Sequence, residues 1–221
     1  MELNGANELE RVVRGLDNVG HVDAEPTLQG GRAANLRRVT SAKRRLFQVK
    51  DGQTTLRLRP LTLDDEREAL AAHAEAQAEG YDAFLLHWDN DPWSEYLARL
   101  AELRRGIGIP DGLVPATFLV ADVDSQLVGR TSIRHSLNDY LLNFGGHIGY
   151  AVRPAFRRRG YATEVLRQSL IVAHAEGVTR ALVTCDDDNL GSIAVIERAG
   201  GKLEDIRLDD EGVSRRRYWI D

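Results

Sequence analysis

The segment from His147 to Cys185 constrains the fold most. His147–Val152 reads as a strand, Pro154 ends it, and Gly160 opens an amphipathic helix over Tyr161–Glu176. Ala162, Val165, Leu166, Leu170 and Ala173 recur at helical spacing on the inward face of that helix, and Gly177 stops it. Ala181–Cys185 then reads as a second strand. A strand, a helix and a strand in succession argue for a sheet covered by helices.

The flanking pattern extends this unit. Thr54–Leu61 is a predicted strand, and Thr62 caps a helix running to Gly80, with Asp64, Asp65 and Glu66 near its positive end. Asp91 caps a second helix with Pro92 at its first position and Trp93, Tyr96, Leu97, Leu100 and Leu103 on its apolar face. Ala116–Asp122 and Gln126–His135 are strands joined by a tight turn at Val123–Ser125, and a loop runs from Ser136 to Gly145. Leu190–Ala199 is a helix, and Gly201–Leu208 and Val213–Ile220 are closing strands around a turn at Asp209–Gly212. The order β-α-α-β-β-β-α-β-α-β-β predicts an α/β (α+β) domain with a mixed, twisted, mostly antiparallel central sheet flanked by helices.

Charge places the domain boundary. Residues 1–50 hold nine basic and six acidic side chains, whereas the remainder is acidic enough to bring the whole chain to −5. The reading is an N-terminal appendage over 1–50, part loop or arm, and a main domain over 51–221. Leu46–Val49 and Thr55–Leu58 flank Asp51-Gly52, a hairpin signal through which the appendage would add an edge strand; an unstructured arm is the alternative. The acidic balance argues against a general nucleic-acid coat, although the basic run Arg32–Lys50 leaves a nucleic-acid tether as a further alternative. The single cysteine, Cys185, permits no intrachain disulfide and no cysteine-rich zinc site, and reads as a small core hydrophobe. Asp186, Asp187 and Asp188 read as acids complementing the dipole of the helix that follows, and no metal is expected. No apolar run approaches the roughly 18 residues of a membrane span, and the first thirty residues lack a secretory pattern, so a cytoplasmic protein without membrane association is expected.

The chemistry-bearing stretch is Arg157-Arg158-Arg159-Gly160-Tyr161-Ala162, where a short loop after a strand turns into a helix. Helix N-termini present unpaired N–H groups and partial positive charge, Gly160 admits close backbone approach, and the three arginines add positive field. This is a diphosphate cradle in physical terms. It lacks the Gly-x-x-x-x-Gly-Lys-Ser/Thr of a P-loop, and Gly106-Ile107-Gly108 has the wrong continuation for a dinucleotide fingerprint.

With Gly149-Tyr150-Ala151-Val152-Arg153-Pro154 before it, and Asn189-Leu190-Gly191-Ser192 and Val195-Ile196-Glu197-Arg198-Ala199-Gly200 after the next strand, the stretch resembles the GCN5-related N-acetyltransferase (GNAT) superfamily. The Arg/Gln-x-x-Gly-x-Gly/Ala signature falls on Arg157–Ala162, and Arg134–Asn138 with Gly145–Tyr150 looks like a bacterial acetyltransferase subgroup without an assigned substrate. The resemblance covers roughly residues 54–221 and implies the acyl-CoA N-acyltransferase fold, with acetyl-CoA as co-substrate. It also implies roles. Tyr150, Ala151 and Val152 would offer backbone groups to the pantetheine arm, and a backbone N–H near Ala151 or Val152 would polarise the acyl carbonyl. Backbone N–H groups from Arg157, Arg158, Arg159, Gly160, Tyr161, Ala162 and Thr163 would hold the pyrophosphate. Asn189 and Ser192 would reach the pantetheine region.

The catalytic positions match less well. The position of the family's frequent thiolate-protonating Tyr is Ile196, so Ser192 is the substitute, by resemblance to a related branch with Ser at that offset. Gly145 and Gly146 stand where a Glu base is frequent, which leaves His147 as the candidate base and His135 as second choice. His135, Tyr140 and Trp88 are the candidate acceptor contacts. The resulting expectation is transfer of acetyl from acetyl-CoA to a primary amine of a small molecule or peptide by direct attack. The alternative is an acetyl-CoA-binding sensor without turnover. Edge strands make a homodimer compatible with this fold.

Overall fold

Two left-handed residues, Asp124 (φ 50°) and Ser125 (φ 64°), close the hairpin between strands β2 (Ala116–Val123) and β3 (Gln126–Arg134). Positive φ at both turn positions gives the twist that matches paired strands. Strand β1 (Arg57–Arg59) pairs with β2, and β4 (Ile148–Val152) with β3, giving an antiparallel sheet in the order β1-β2-β3-β4. Strands β5 (Ala181–Asp186), β6 (Lys202–Leu208) and β7 (Ser214–Ile220) form a second antiparallel sheet in the order β5-β7-β6. This computed structural model describes residues 55–84, 86, 87 and 90–221. The appendage over 1–50, the Asp51-Gly52 hairpin and Trp88 lie outside the described residues.

Helices cover both faces. Helix α1 (Glu66–Ala78) and helix α2 (Trp93–Arg105) bury Ala69, Ala76, Tyr96, Leu100 and Leu103 against Phe118, Val120, Leu127 and Ala151. Helix α3 (Tyr161–Ala175) and helix α4 (Leu190–Arg198) bury Val165, Leu166, Ile193 and Ile196 against Val128, Ile148, Tyr150, Val183 and Cys185. The strand period of two sends adjacent Tyr150 and Ala151 into different cores. Among the described residues no helix is long and apolar enough to cross a membrane.

The element order follows the sequence pattern, and the differences lie at the ends. The first helix begins as a 3-10 turn over Leu63–Asp65, and the Thr62 N–H and hydroxyl both donate to Asp65 Oδ2, at 2.7 and 2.8 Å. Arg59 joins Asp65 (2.7 Å) to Asp122 (2.8 Å), fastening β1, the helix start and β2, and holds the Asp65 carboxyl down to about 2. The expected cap Asp91 does not cap: Pro92 takes the cap position of α2, and the Asp91 carboxylate instead meets Arg99 at 2.9 Å. The expected loop over 136–145 contains a π-helical turn, Leu141–Gly145, started by the Leu141 N–H donating to Asn138 Oδ1 at 2.9 Å. Asp186 and Asp187 are not simple dipole complements. They pair across the sheet with Arg215 at 2.7 Å and Arg216 at 2.5 Å and so tie β5 to β7.

Candidate active site

The two sheets meet at one point and part beyond it. The His147 N–H donates to Leu182 O at 2.7 Å, and the Leu182 N–H donates to His147 Nδ1 at 2.9 Å. Gly146 makes the approach possible: a Cβ there would sit 2.6 Å from Leu182 O, and its φ of +65° is left-handed. Past this junction β4 pairs with β3 and β5 pairs with β7, so a split opens between β4 and β5. The carbonyl of His147 and the N–H of Arg153 bond to β3, so the intervening alternation turns Tyr150 and Val152 backbone groups toward the split and Ala151 toward β3. Of the two N–H groups expected to face an acyl carbonyl, the one on Val152 therefore faces the split.

At the outer end of the split lies a cleft of about 570 Å³. Val152, Arg157, Arg158, Gly160, Tyr161, Ala162 and Thr163 line one side. Gly160 (φ +81°) precedes α3, and a Cβ on it would meet nothing within 4 Å, so its backbone stands open to the cleft. Arg158 (φ +64°) is left-handed as well, while Arg157 is not. The left-handed residues Arg158 and Gly160 lead the backbone into the α3 N-terminus, where unpaired N–H groups and the helix dipole favour negative charge.

Three arginine side chains around this turn have protein partners. Arg157 Nε donates to Val152 O at 3.0 Å, and its guanidinium pairs with Glu79 at the end of α1. Arg153 is clamped between Glu68 (3.1 Å) and Glu75 (2.7 Å), and Arg159 donates to Ala155 O at 2.9 Å while lying over Phe156. The expected positive field is thus largely neutralised at Arg157, and Arg157 and Arg159 brace the backbone of the turn. Arg159 does not line the cleft.

The opposite wall is α4. Leu190, Gly191, Ala194, Val195 and Arg198 face the cleft. None of these five is a candidate site residue of the sequence analysis, which on this segment points to Asn189 and Ser192. The i, i+4, i+8 spacing of Leu190, Ala194 and Arg198 was the available signal. Asn189 caps α4 through Oδ1, which accepts the Ser192 N–H at 3.0 Å. Its side-chain carbonyl is therefore spent on the helix. Ser192 and Tyr150 are both buried, at 0% and 1% exposure, and among the described residues neither hydroxyl oxygen finds a hydrogen-bond partner. Burial pushes the neighbouring Cys185 thiol up to about 12, so no thiolate nucleophile exists there near neutrality.

The titratable candidates fall elsewhere. His147 is buried in the junction, its Nδ1 lone pair occupied by Leu182; burial, with the Arg134 guanidinium nearby, pulls it down to about 4. This geometry is that of a structural staple rather than a base. His135 bonds Thr117 through Nε2 at 2.9 Å beside Glu176, which follows the C-terminus of α3. That helix has 15 residues, about 22 Å, so His135 sits at the far end from the cradle. Burial lowers its pKa too. Tyr140 precedes the π-helical turn and stacks on Phe144 at 5.9 Å, while Phe144 O accepts from Thr184 of β5 at 2.6 Å. Tyr140 does not line the cleft.

Comparison with known proteins agrees with this geometry. A curated relative from Bacillus subtilis (strain 168), the uncharacterized N-acetyltransferase YfmK, is 30% identical over 66 residues, a match taking in 30% of this chain and 45% of that protein. The fold is similar to an N-acetyltransferase from Staphylococcus aureus Mu50 (TM-score 0.53, 15% identity, 76% of this chain and 98% of the other). It is also similar to the microcin C7 self-immunity acetyltransferase MccE, solved with acetyl-CoA and AMP (TM-score 0.53, 17% identity, 74% of this chain and 91% of the other). The sequence model of the acetyltransferase (GNAT) domain matches residues 55–202, well over half of the 221, and the chain belongs to that family.

Proposed function

We propose that this chain is an N-acetyltransferase that binds acetyl-CoA between β4 and α4 and passes the acetyl group to a primary amine of a small molecule or peptide. The observation that carries this reading is the open, left-handed backbone at Gly160, set at the start of α3 and facing the cleft. The residues suit such a ligand. N–H groups of Arg158 through Thr163 would hold the pyrophosphate, with Arg198 adding charge from the other wall. The backbone edge of Tyr150 and Val152 that faces away from β3 would meet the pantetheine amides as an added strand would. Acetyl-CoA supplies an activated acyl carbon. The chain's part is to fix the thioester, to place the Val152 N–H against its carbonyl, and to hold Ser192 beside the sulfur. Direct attack by the amine needs no protein nucleophile, in keeping with the inert Cys185 thiol.

With His147 committed to the sheet junction and Ile196 at the frequent tyrosine position, a second reading stands beside the first: a CoA-binding sensor without turnover. Release of free thiol separates the two. The purified chain incubated with acetyl-CoA and a panel of small-molecule and peptide amines is expected to liberate CoA with at least one of them. Tight binding with no thiol above background across the panel would leave the sensor.

A further inference from the structure

The two sheets have four edges, and three of them are accounted for. β4 and β5 face the split. β1 is closed by one side chain of α3: the Leu58 N–H donates to Gln168 Oε1 at 3.0 Å, and Gln168 Nε2 donates to Leu56 O at 2.9 Å. The glutamine amide thus takes the place of a neighbouring strand's peptide group. The fourth edge is β6, and among the described residues no strand pairs with its outer side.

That edge is apolar on one face and charged on the other. Leu203, Ile206 and Leu208 lie opposite Tyr218, Arg216 and Ser214 of β7, so they share the face on which the Tyr218 hydroxyl meets Glu197 of α4. They are 47%, 47% and 67% exposed, where an edge strand left to solvent is normally blunted by charge. On the other face Glu204 and Asp205 both pair with Arg217, at 2.6 and 2.7 Å, and Arg207 meets Asp205 at 2.9 Å. Between Leu203 and Asp205 the register with β7 shifts by one residue, a bulge that sets two carboxylates against one partner position. The Asp209 N–H donates to Val213 O at 3.0 Å. Counting back by two, Arg207 and Asp205 turn their backbone groups toward β7, while Ile206, Leu208 and, across the bulge, Leu203 turn theirs outward.

This strand is its own complement. We propose that β6 pairs antiparallel with β6 of a second copy of the chain, about a two-fold axis at Ile206, joining the two three-stranded sheets into one of six strands. Ile206 then lies opposite the partner's Ile206, Leu203 opposite the partner's Leu208, and the bulged pair Glu204 and Asp205 opposite the partner's Arg207. Outward-facing backbone groups meet outward-facing groups, the apolar row runs unbroken across the axis on one face, and opposite charges meet on the other. The bulge is what permits this: without its extra residue Leu203 and Leu208, five positions apart, would point to opposite faces. Charge also selects the register. An axis one residue along, at Arg207, would set two guanidinium groups against each other and break the Leu203–Leu208 pairing.

Sedimentation of the full chain over a concentration series is expected to show a dimer. Ile206→Lys sets two ammonium groups face to face on the axis and should leave a monomer at every concentration, with the melting temperature of the monomer unchanged because the side chain is exposed. Ile206→Cys tests the register. Opposed Cα atoms of a hydrogen-bonded pair are about 5.5 Å apart, within disulfide reach, so mild oxidation should give a covalent dimer. Leu203→Cys, whose counterpart is the partner's Leu208, should not cross-link, and the native Cys185 is buried and supplies no link of its own. A parent that stays monomeric throughout, or a dimer that Ile206→Lys leaves intact, overturns the proposal. So does a Leu203→Cys chain that cross-links as fast as Ile206→Cys.

Discussion

Acidification should uncouple the two sheets through His147. In the folded chain Nδ1 accepts from Leu182 and cannot take a proton without breaking that bond, and burial holds the group near 4 against an ordinary 6.5. A folded pKa below the unfolded one means that stability is fully present above pH 6.5 and is lost as pH falls toward 4. At 1.36 kcal/mol per unit, the linkage amounts to about 2–3 kcal/mol by pH 4.5. Urea unfolding of the parent and of His147→Gln at pH 7.5, 6.5, 5.5 and 4.5 isolates this group from the other titrating residues. Glutamine can still accept from Leu182 but cannot titrate, so its curve should be flatter by about 2–3 kcal/mol across that range. Identical pH dependence in parent and variant, or a His147 ring titrating near 6.5 by NMR, would refute the staple and restore His147 as a base.

Three further outcomes follow from the same geometry. Gly160→Glu should abolish acetyl-CoA binding measured by calorimetry while the chain stays folded, because the new carboxylate projects into the cleft; the left-handed backbone adds about 1–2 kcal/mol of strain. Gly146→Ala should be worse for stability than for binding chemistry: a Cβ 2.6 Å from Leu182 O at φ +65° should lower the melting temperature by about 5 °C or more. Ser192→Ala should reduce thiol release more than acetyl-CoA affinity, as judged by turnover number against binding constant, and equal rates for both proteins would remove its role.

Local pattern made much of the fold legible. The periodicity of Tyr161–Ala175 and the glycine after it depend on residues within a turn or two of each other, and both appear where the sequence placed them. Gly160 could be read because the requirement for an open backbone at a helix start is itself local. The misplaced roles all involve partners distant in sequence. Arg157 reads as a phosphate-facing cation until its contact with Glu79, 78 positions away, is known. His147 reads as an available imidazole until β5 is laid beside β4 and Leu182 occupies its nitrogen. Asp186 and Asp187 read as dipole acids until β7 brings Arg215 and Arg216 across from them.

The most direct test of the central claim is a calorimetric titration of the full chain with acetyl-CoA. The account predicts saturable one-site binding in the micromolar range, about −8 kcal/mol, and loss of that signal in Gly160→Glu. A folded parent chain that takes up no acetyl-CoA would contradict it, and the open glycine at the start of α3 would then be a feature of the fold without a ligand to hold.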